Sequence, residues 1–115
     1  MLVTFRVEDT FTYVAFEGAG WQPGEVTSFH GEMRRRLEEG ARRFVWNLQQ
    51  LEKLNSITLG VFISSLKTVR DSGGCVVLHS VPAEAKEMLE LTQISQYIDI
   101  FNTEEEARQH LARRR

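Results

Sequence analysis

The sequence predicts an α/β fold in which an N-terminal β-hairpin joins a mostly parallel sheet of four or five strands, with about four helices. Two observations support this prediction. Two alternating apolar segments stand close together near the N-terminus, and the rest of the chain alternates short β-branched or aromatic segments with longer segments of helical periodicity. No internal repeat, linker or low-complexity stretch divides the 115 residues, so we expect a single domain over residues 1–115.

Two strands are predicted at the N-terminus, over residues 2–7 and 11–16, because apolar and polar residues alternate in both. The polar turn between them, residues 8–10, has the length of a hairpin loop, so the two strands should pair antiparallel. A glycine-rich loop follows over residues 17–24, and Pro23 near its end favours a helix start soon after.

The first helix is predicted to begin at Glu25 and to stop at Gly40, because apolar residues recur between them at helical spacing. These apolar residues are Val26, Phe29, Met33 and Leu37. A third strand is predicted over residues 43–48 from its β-branched and aromatic content, with Trp46 in the core. Residues 49–53 are expected to form a polar connection.

The second helix is predicted from Ser56 to about Arg70, and a break at residues 72–74 separates it from a fourth strand over residues 75–78. The side of this helix that should face the core contains Leu59, Phe62, Ile63, Leu66 and Val69. At about 100° per residue, a second set of side chains lies opposite that side and should face solvent. This second set is Ile57, Val61, Ser64 and Thr68.

The third helix should begin with Pro82 in its first turn and with the hydroxyl of Ser80 as its cap. Its apolar side contains Ala85, Met88 and Leu89. Residues 98–101 suggest a short fifth strand. The last helix should begin at Thr103, which fits a capping box with Glu106, and its inward side contains Ala107 and Leu111.

Composition argues against several classes of function. The net charge of −2 gives no general attraction to nucleic acid, and no apolar stretch is long enough to span a membrane. The chain begins without a basic leader and a long apolar run, so we expect a cytoplasmic protein. Cys75 stands alone in a predicted strand and is interpreted as a structural thiol in a reducing compartment.

Enzymatic activity is not predicted. The histidines His30, His79 and His110 are scattered, and none has ligand spacing with a cysteine or another histidine. No P-loop, dinucleotide fingerprint or nucleophile-elbow motif is present. We therefore expect neither a cofactor nor a bound metal ion.

A series of short motifs covers most of the chain in a fixed order. The motifs are residues 47–48, 55–60, 71–78, 80–83, 91–94 and the pair Tyr97-Ile98. In order and spacing they resemble the STAS domain, the module of bacterial anti-sigma factor antagonists. In that family a buried strand ending in D-L leads through a short loop into D-S-S-G-L-G and a helix.

The resemblance implies a regulatory role for the second helix. In the family, the serine matching Ser56 is phosphorylated by a partner serine kinase that is also the anti-sigma factor, and phosphorylation ends binding. Four residues of this chain, at three places, depart from the family pattern. Asn55 replaces the usual Asp, Ile57 and Thr58 replace Ser-Gly, and Trp21 falls where the family commonly has an acid.

The residues themselves leave two roles open for Ser56. As an N-cap, alone or with Asn55, it would stabilise the helix by roughly 1 kcal/mol. The same helix start could hold a phosphate, because its N–H groups are unpaired and carry partial positive charge. Trp21 is likewise either a hydrophobic plug at the end of the sheet or an exposed anchor for a partner. Ile57 and Val61 suggest an apolar docking surface that a phosphate would disrupt.

Together these observations predict an anti-sigma factor antagonist-like protein-binding module that binds an anti-sigma factor kinase and is released by phosphorylation at Ser56. The expected partner-binding residues are Trp21, Asn55, Ile57, Thr58, Val61 and Ser64. Two alternatives remain open: a STAS subunit of a regulatory or lipid-transport complex that is not phosphorylated, and a small-ligand sensor with Trp21 lining a pocket. A weak homodimer is expected, whereas nucleic-acid binding and membrane insertion are not.

Overall fold

The computed structural model describes residues 1–94 and 98–113. Within these ranges the chain forms five strands and four helices. In chain order they are β1 (Leu2–Glu8), β2 (Phe11–Gly18), α1 (Glu25–Glu38), β3 (Arg43–Leu51), α2 (Ser56–Asp71), β4 (Cys75–His79), α3 (Ala83–Leu91), β5 (Asp99–Phe101) and α4 (Glu104–Arg113).

The strands form one sheet in the order β1-β2-β3-β4-β5. β1 and β2 pair antiparallel, and Asp9 in the turn between them takes a left-handed backbone with φ of 56°. The other three pairings are parallel. Because a parallel pair needs a crossover, a helix lies between each pair of consecutive strands from β2 onward. The predicted hairpin and mostly parallel sheet are confirmed.

Two apolar cores lie on opposite faces of the sheet. The larger core packs residues of α1, α2 and α3 against one face, and its centre is a group of aromatic rings. The Trp46 ring lies 5.0 Å from the Phe16 ring and 5.2 Å from the Phe62 ring, measured between centroids. Trp46 is fully buried, as predicted. A smaller core packs α4 on the other face through Ala107 and Leu111.

β3 is longer than the sequence predicts. It runs to Leu51, so residues 49–51 belong to the strand and not to the polar connection expected over residues 49–53. The Leu51 side chain is buried and the residue pairs with Gly18 of β2, where the Glu52 N–H also donates to the Gly18 carbonyl at 2.9 Å. The strand therefore continues through the exposed Gln49 and Gln50, because Leu51 is both paired and buried.

The start of α3 also differs from the prediction. Pro82 occupies the N-cap position without a side-chain hydrogen bond, and Ser80, the expected cap, lies outside the helix with φ of 55°. The Ser80 hydroxyl instead lies 2.9 Å from Nδ1 of His79. The capping box of α4 is confirmed by two 3.2 Å hydrogen bonds between Thr103 and Glu106. The motif residue Tyr97 lies outside the described ranges.

His79 is a buried titratable group between β4 and α4. It is 3% exposed, and its Nε2 lies 3.9 Å from the carboxylate of Glu104. Burial lowers the pKa of the His79 imidazole below its ordinary value, because a desolvated ring disfavours the charged form. Glu104 opposes this change in the pKa and Arg108 reinforces it, so the ring is held neutral under α4.

We predict that the free energy of unfolding falls as the pH drops below the ordinary histidine pKa of about 6.5. The unfolded chain takes up a proton there that the buried His79 ring resists, so acid favours unfolding until the lower folded pKa is reached. Urea unfolding between about pH 8 and pH 5 measures this loss, in a window above the ordinary carboxyl range.

The variant His79→Asn cannot take up the proton, so it should lose less stability than the parent over the same pH range. The matched control is His30→Gln, which changes a half-buried histidine between α1 and α2 and should keep the parent's loss. Equal losses in the parent and in His79→Asn would show that another group is responsible.

Candidate functional site

The start of α2 is capped by Asn55. The Asn55 backbone is extended, with φ of −97° and ψ of 176°, and its side-chain oxygen accepts a hydrogen bond from the Thr58 N–H at 2.8 Å. Ser56 is the first residue with helical geometry. The interpretation of Ser56 as an N-cap is therefore wrong, because a cap needs the extended backbone that only Asn55 has here.

The Ser56 side chain is exposed at this helix start. Its hydroxyl makes no hydrogen bond to any residue in the described ranges, so the oxygen is open to solvent. The first turn of α2 contains no acidic residue. The partial positive charge of the helix start is therefore not compensated by a neighbouring carboxylate, and an anionic group on Ser56 would be favoured there.

An exposed strip continues along α2 from Ser56, and we call Ser56, Ile57 and Ser64 the outer strip. Ile57 is 66% exposed and adds an apolar side chain to the polar helix start. Ser64 and Thr68 are also exposed, as predicted. Between Ile57 and Ser64, Gly60 carries no side chain, and no neighbouring atom lies within 4 Å of the place where a Cβ atom would be. The outer strip is thus a shallow, partly apolar surface.

Two expected partner-binding residues do not belong to this surface. Thr58 is fully buried and Val61 is 6% exposed, so neither side chain reaches the outer strip, and the prediction that Val61 faces solvent is wrong. The buried side of α2 includes a flank turned towards α1, where the buried Ser65 hydroxyl lies 3.3 Å from Nδ1 of His30. The helix therefore buries a wider face than the apolar periodicity predicts, and this face includes Val61.

Trp21 lies in the loop between β2 and α1, against the start of α2. Its indole N–H donates a 3.0 Å hydrogen bond to the Thr58 hydroxyl, and its ring lies 5.8 Å from the Phe29 ring between centroids. The side chain is half-buried and packs on the larger core. These contacts favour the plug over the free anchor, and they place the loop beside the Ser56 turn.

The same loop is held at its end by Glu25. The Gln22 N–H donates to the Glu25 carboxylate, and this bond is the main cause that lowers the pKa of that carboxyl below its ordinary value. The loop is thus fixed at both Trp21 and Gln22. A partner that docks on the outer strip would meet a loop of defined shape.

Trp21 also borders an open groove of about 600 Å³ between β1 and α1. Phe5 and Phe29 form its apolar part, and Glu32 and Arg35 stand among its polar residues. Arg35 donates to Glu32, so these charges are paired with each other. A ligand role for this groove stays a prediction. Within the described ranges no group of three His, Cys, Asp or Glu residues is placed to hold a metal ion.

No helix in residues 1–94 or 98–113 combines the length and apolar content needed to cross a membrane.

Comparison with known proteins finds a matching family and a related sequence. The family model for the STAS domain matches residues 24–107. A candidate anti-sigma factor antagonist from Thermotoga maritima is 30% identical to this chain over 78 residues, which are 68% of this chain and 69% of that protein. The residues matched by the family model include the start of α2 and the three helices on the larger core.

Solved structures share the whole architecture. The crystal structure of a candidate anti-sigma factor antagonist from Thermotoga maritima has a TM-score of 0.81 and 22% identity, over 96% of this chain and 95% of that one. The phosphorylated form of the Bacillus cell fate determinant SpoIIAA has a TM-score of 0.76 and 14% identity, over 96% of this chain and 99% of that one. At these identities the likeness shows the fold, and it agrees with the predicted α/β class.

We predict that Asn55→Ala lowers the free energy of unfolding by about 1 kcal/mol, because it removes the acceptor for the Thr58 N–H. The adjacent Ser56→Ala should change it by less than about 0.5 kcal/mol, since the serine hydroxyl caps nothing. Urea unfolding of both variants measures the two values. If Ser56→Ala lowered the free energy of unfolding more than Asn55→Ala does, Ser56 and not Asn55 would be the cap.

Proposed function

Since the chain belongs to the STAS domain family, we propose that it is an anti-sigma factor antagonist, which binds an anti-sigma factor kinase through the outer strip of α2 and is released when Ser56 is phosphorylated. Anti-sigma factor antagonists of this family are non-catalytic regulatory proteins. The proposed role is therefore binding and release in the regulation of transcription, and we place it in the cytoplasm.

The observation that carries this proposal is the Ser56 hydroxyl, which is exposed and unbonded within the described ranges at the start of a capped helix. A kinase needs an accessible hydroxyl, and a bound partner needs a surface beside it. Ile57, at 66% exposure, supplies apolar area next to the hydroxyl. An accessible hydroxyl and an exposed apolar side chain therefore stand next to each other, which supports the proposal.

The change in charge supplies the mechanism. A phosphoserine adds about −1.5 to −2 charges at neutral pH. In the free protein this charge is favoured by the start of α2, where the first turn has no acidic residue. In a complex the same charge would be desolvated against the partner that covers Ile57, at a cost larger than the return from a few apolar contacts. Phosphorylation should therefore weaken binding without unfolding α2.

The expected partner-binding residues divide into two groups. Ile57 and Ser64 are accessible and are proposed to contact the partner directly. Asn55, Thr58 and Trp21 are proposed to act by holding the loop and the helix start in place, through the hydrogen bonds described above. Val61 contributes only to packing in this arrangement.

We also propose that the STAS domain extends over residues 1–115. The family model begins at residue 24, yet the two preceding strands continue the same sheet. β2 pairs in parallel with β3, and its Phe16 lies in the central aromatic group. Removal of residues 1–23 would expose β3 and the core, so these strands belong to the folding unit.

A second candidate is a STAS subunit that binds its partner without phosphorylation. The Asn55 cap favours it, because a neutral amide replaces the family's acid beside the serine. Phosphopeptide mass spectrometry of protein isolated with its native kinase separates the two candidates. We expect modification confined to Ser56, whereas an unmodified peptide would favour the second candidate.

The central prediction concerns Ser56→Asp and Ser56→Ala. The first should weaken binding to the anti-sigma factor kinase by at least about tenfold, or about 1.4 kcal/mol, because a charge enters the docking surface. The second should bind like the unphosphorylated parent and should no longer be released by kinase and ATP. Isothermal titration calorimetry with the purified kinase measures both affinities.

The control for added charge is Gln109→Asp, on an exposed position of α4 across the sheet from α2. This variant should bind like the parent. If Ser56→Asp binds as tightly as Gln109→Asp, the charge mechanism is wrong, even if the partner itself is confirmed.

A further inference from the structure

β1 is the outer strand on the hairpin side of the sheet, and its outer edge is accessible for further pairing. Its seven residues pair with β2 one by one without a register shift, and within the described ranges nothing pairs with its other edge. Soluble proteins usually block such an edge with proline, charged side chains (above all lysine), a bulge or a very short strand. In β1 the charged residues are Arg6 and Glu8, which form an ion pair with each other at 3.4 Å. The segment Leu2–Glu8 contains neither proline nor lysine, whereas the opposite outer strand, β5, has only three residues.

The side chains of β1 alternate between two surfaces. Val3 and Phe5 face α1 and pack on the larger core, and the Phe5 ring lies 6.2 Å from the Phe29 ring between centroids. Val7 follows in the same row but is 60% exposed. The row is therefore apolar throughout, and one end of it remains uncovered in the single chain.

We propose that a second copy of this chain pairs with β1 through its own β1, antiparallel, with a two-fold axis at Phe5. This is the register that pairs all seven residues of both strands. Val3 then lies opposite Val7 of the second copy, and Phe5 opposite Phe5, so the exposed valine is covered by an apolar neighbour. Two five-stranded sheets become one continuous sheet.

The residues on the other surface of β1 agree with this register. Leu2 lies opposite Glu8 and Thr4 opposite Arg6, so no like charges stand directly across from each other. A register displaced by two residues towards the C-terminus would place Arg6 opposite Arg6, which is unfavourable. The strand is thus self-complementary in its apolar row, and this register brings no like charges together.

The pairing leaves the proposed switch free. The β1 edge belongs to the hairpin side of the sheet, whereas α2 connects β3 to β4, so both outer strips of the pair stay open. The dimer is weak, because two paired edge strands bury less than the about 1,200 Å² typical of a stable interface. This inference concerns a different surface and does not rest on the proposed function.

Sedimentation velocity across protein concentrations up to about 1 mM tests the pairing. The parent should shift from monomer to dimer as the concentration rises. Val7→Lys should weaken the dimer at least tenfold, because it places a cation in the apolar row. The matched control is Ile57→Lys, the same substitution at an equally exposed residue of α2, which should dimerise like the parent.

The register is tested by cross-linking with a short bismaleimide in a Cys75→Ser background. Thr4→Cys mixed with Arg6→Cys should form a cross-linked dimer, because these positions oppose each other, and Arg6→Cys with Gln109→Cys should not. If the parent stays monomeric up to about 1 mM, the proposal is wrong, and the β1 edge would be open to a different protein. A dimer that Val7→Lys does not weaken would overturn it equally.

Discussion

The packing of Phe62 against Phe16 and Trp46 is the constraint on which the candidate site depends. These rings meet between α2 and the centre of the sheet, with centroid distances of 4.8 to 5.2 Å. Because a close-packed core allows few rotations of a helix, this contact decides which side of α2 is buried. The exposure of Ser56 and Ile57 follows from it, since both lie on the side that the aromatic group leaves outside.

The neighbouring loop adds a second constraint at the end of α2. Trp21 fills the space beside Phe29 and donates to Thr58, a residue whose hydroxyl would otherwise be buried without a partner. An unsatisfied buried hydroxyl costs about 1–3 kcal/mol, so the loop and the helix start are stable mainly in this joint arrangement. The two residues therefore hold each other in place, and their hydrogen bond is part of the fold.

The sequence predicts the elements well because their signals are local. The helical spacing in α1 and the capping box at Thr103 depend on residues a few positions apart. It predicts the surface of α2 less well, because the apolar stripe gives the side facing the sheet but carries no information about α1. Thr58 is buried against Trp21, which lies 37 positions before it in the chain, and Ser65 is buried beside His30 of α1. Such contacts have no local pattern.

Separation of the cap from the candidate phosphoacceptor has a functional consequence. If Ser56 itself accepted the Thr58 N–H, a phosphate would replace the cap and alter the stability of α2 together with its surface. Here Asn55 accepts that bond at 2.8 Å, so the Ser56 side chain does not cap the helix. A charge added at Ser56 changes what a partner meets while the backbone of the helix start keeps its hydrogen bonds. Under the proposed function, release of a partner would then require no unfolding, and removal of the phosphate would restore the binding form.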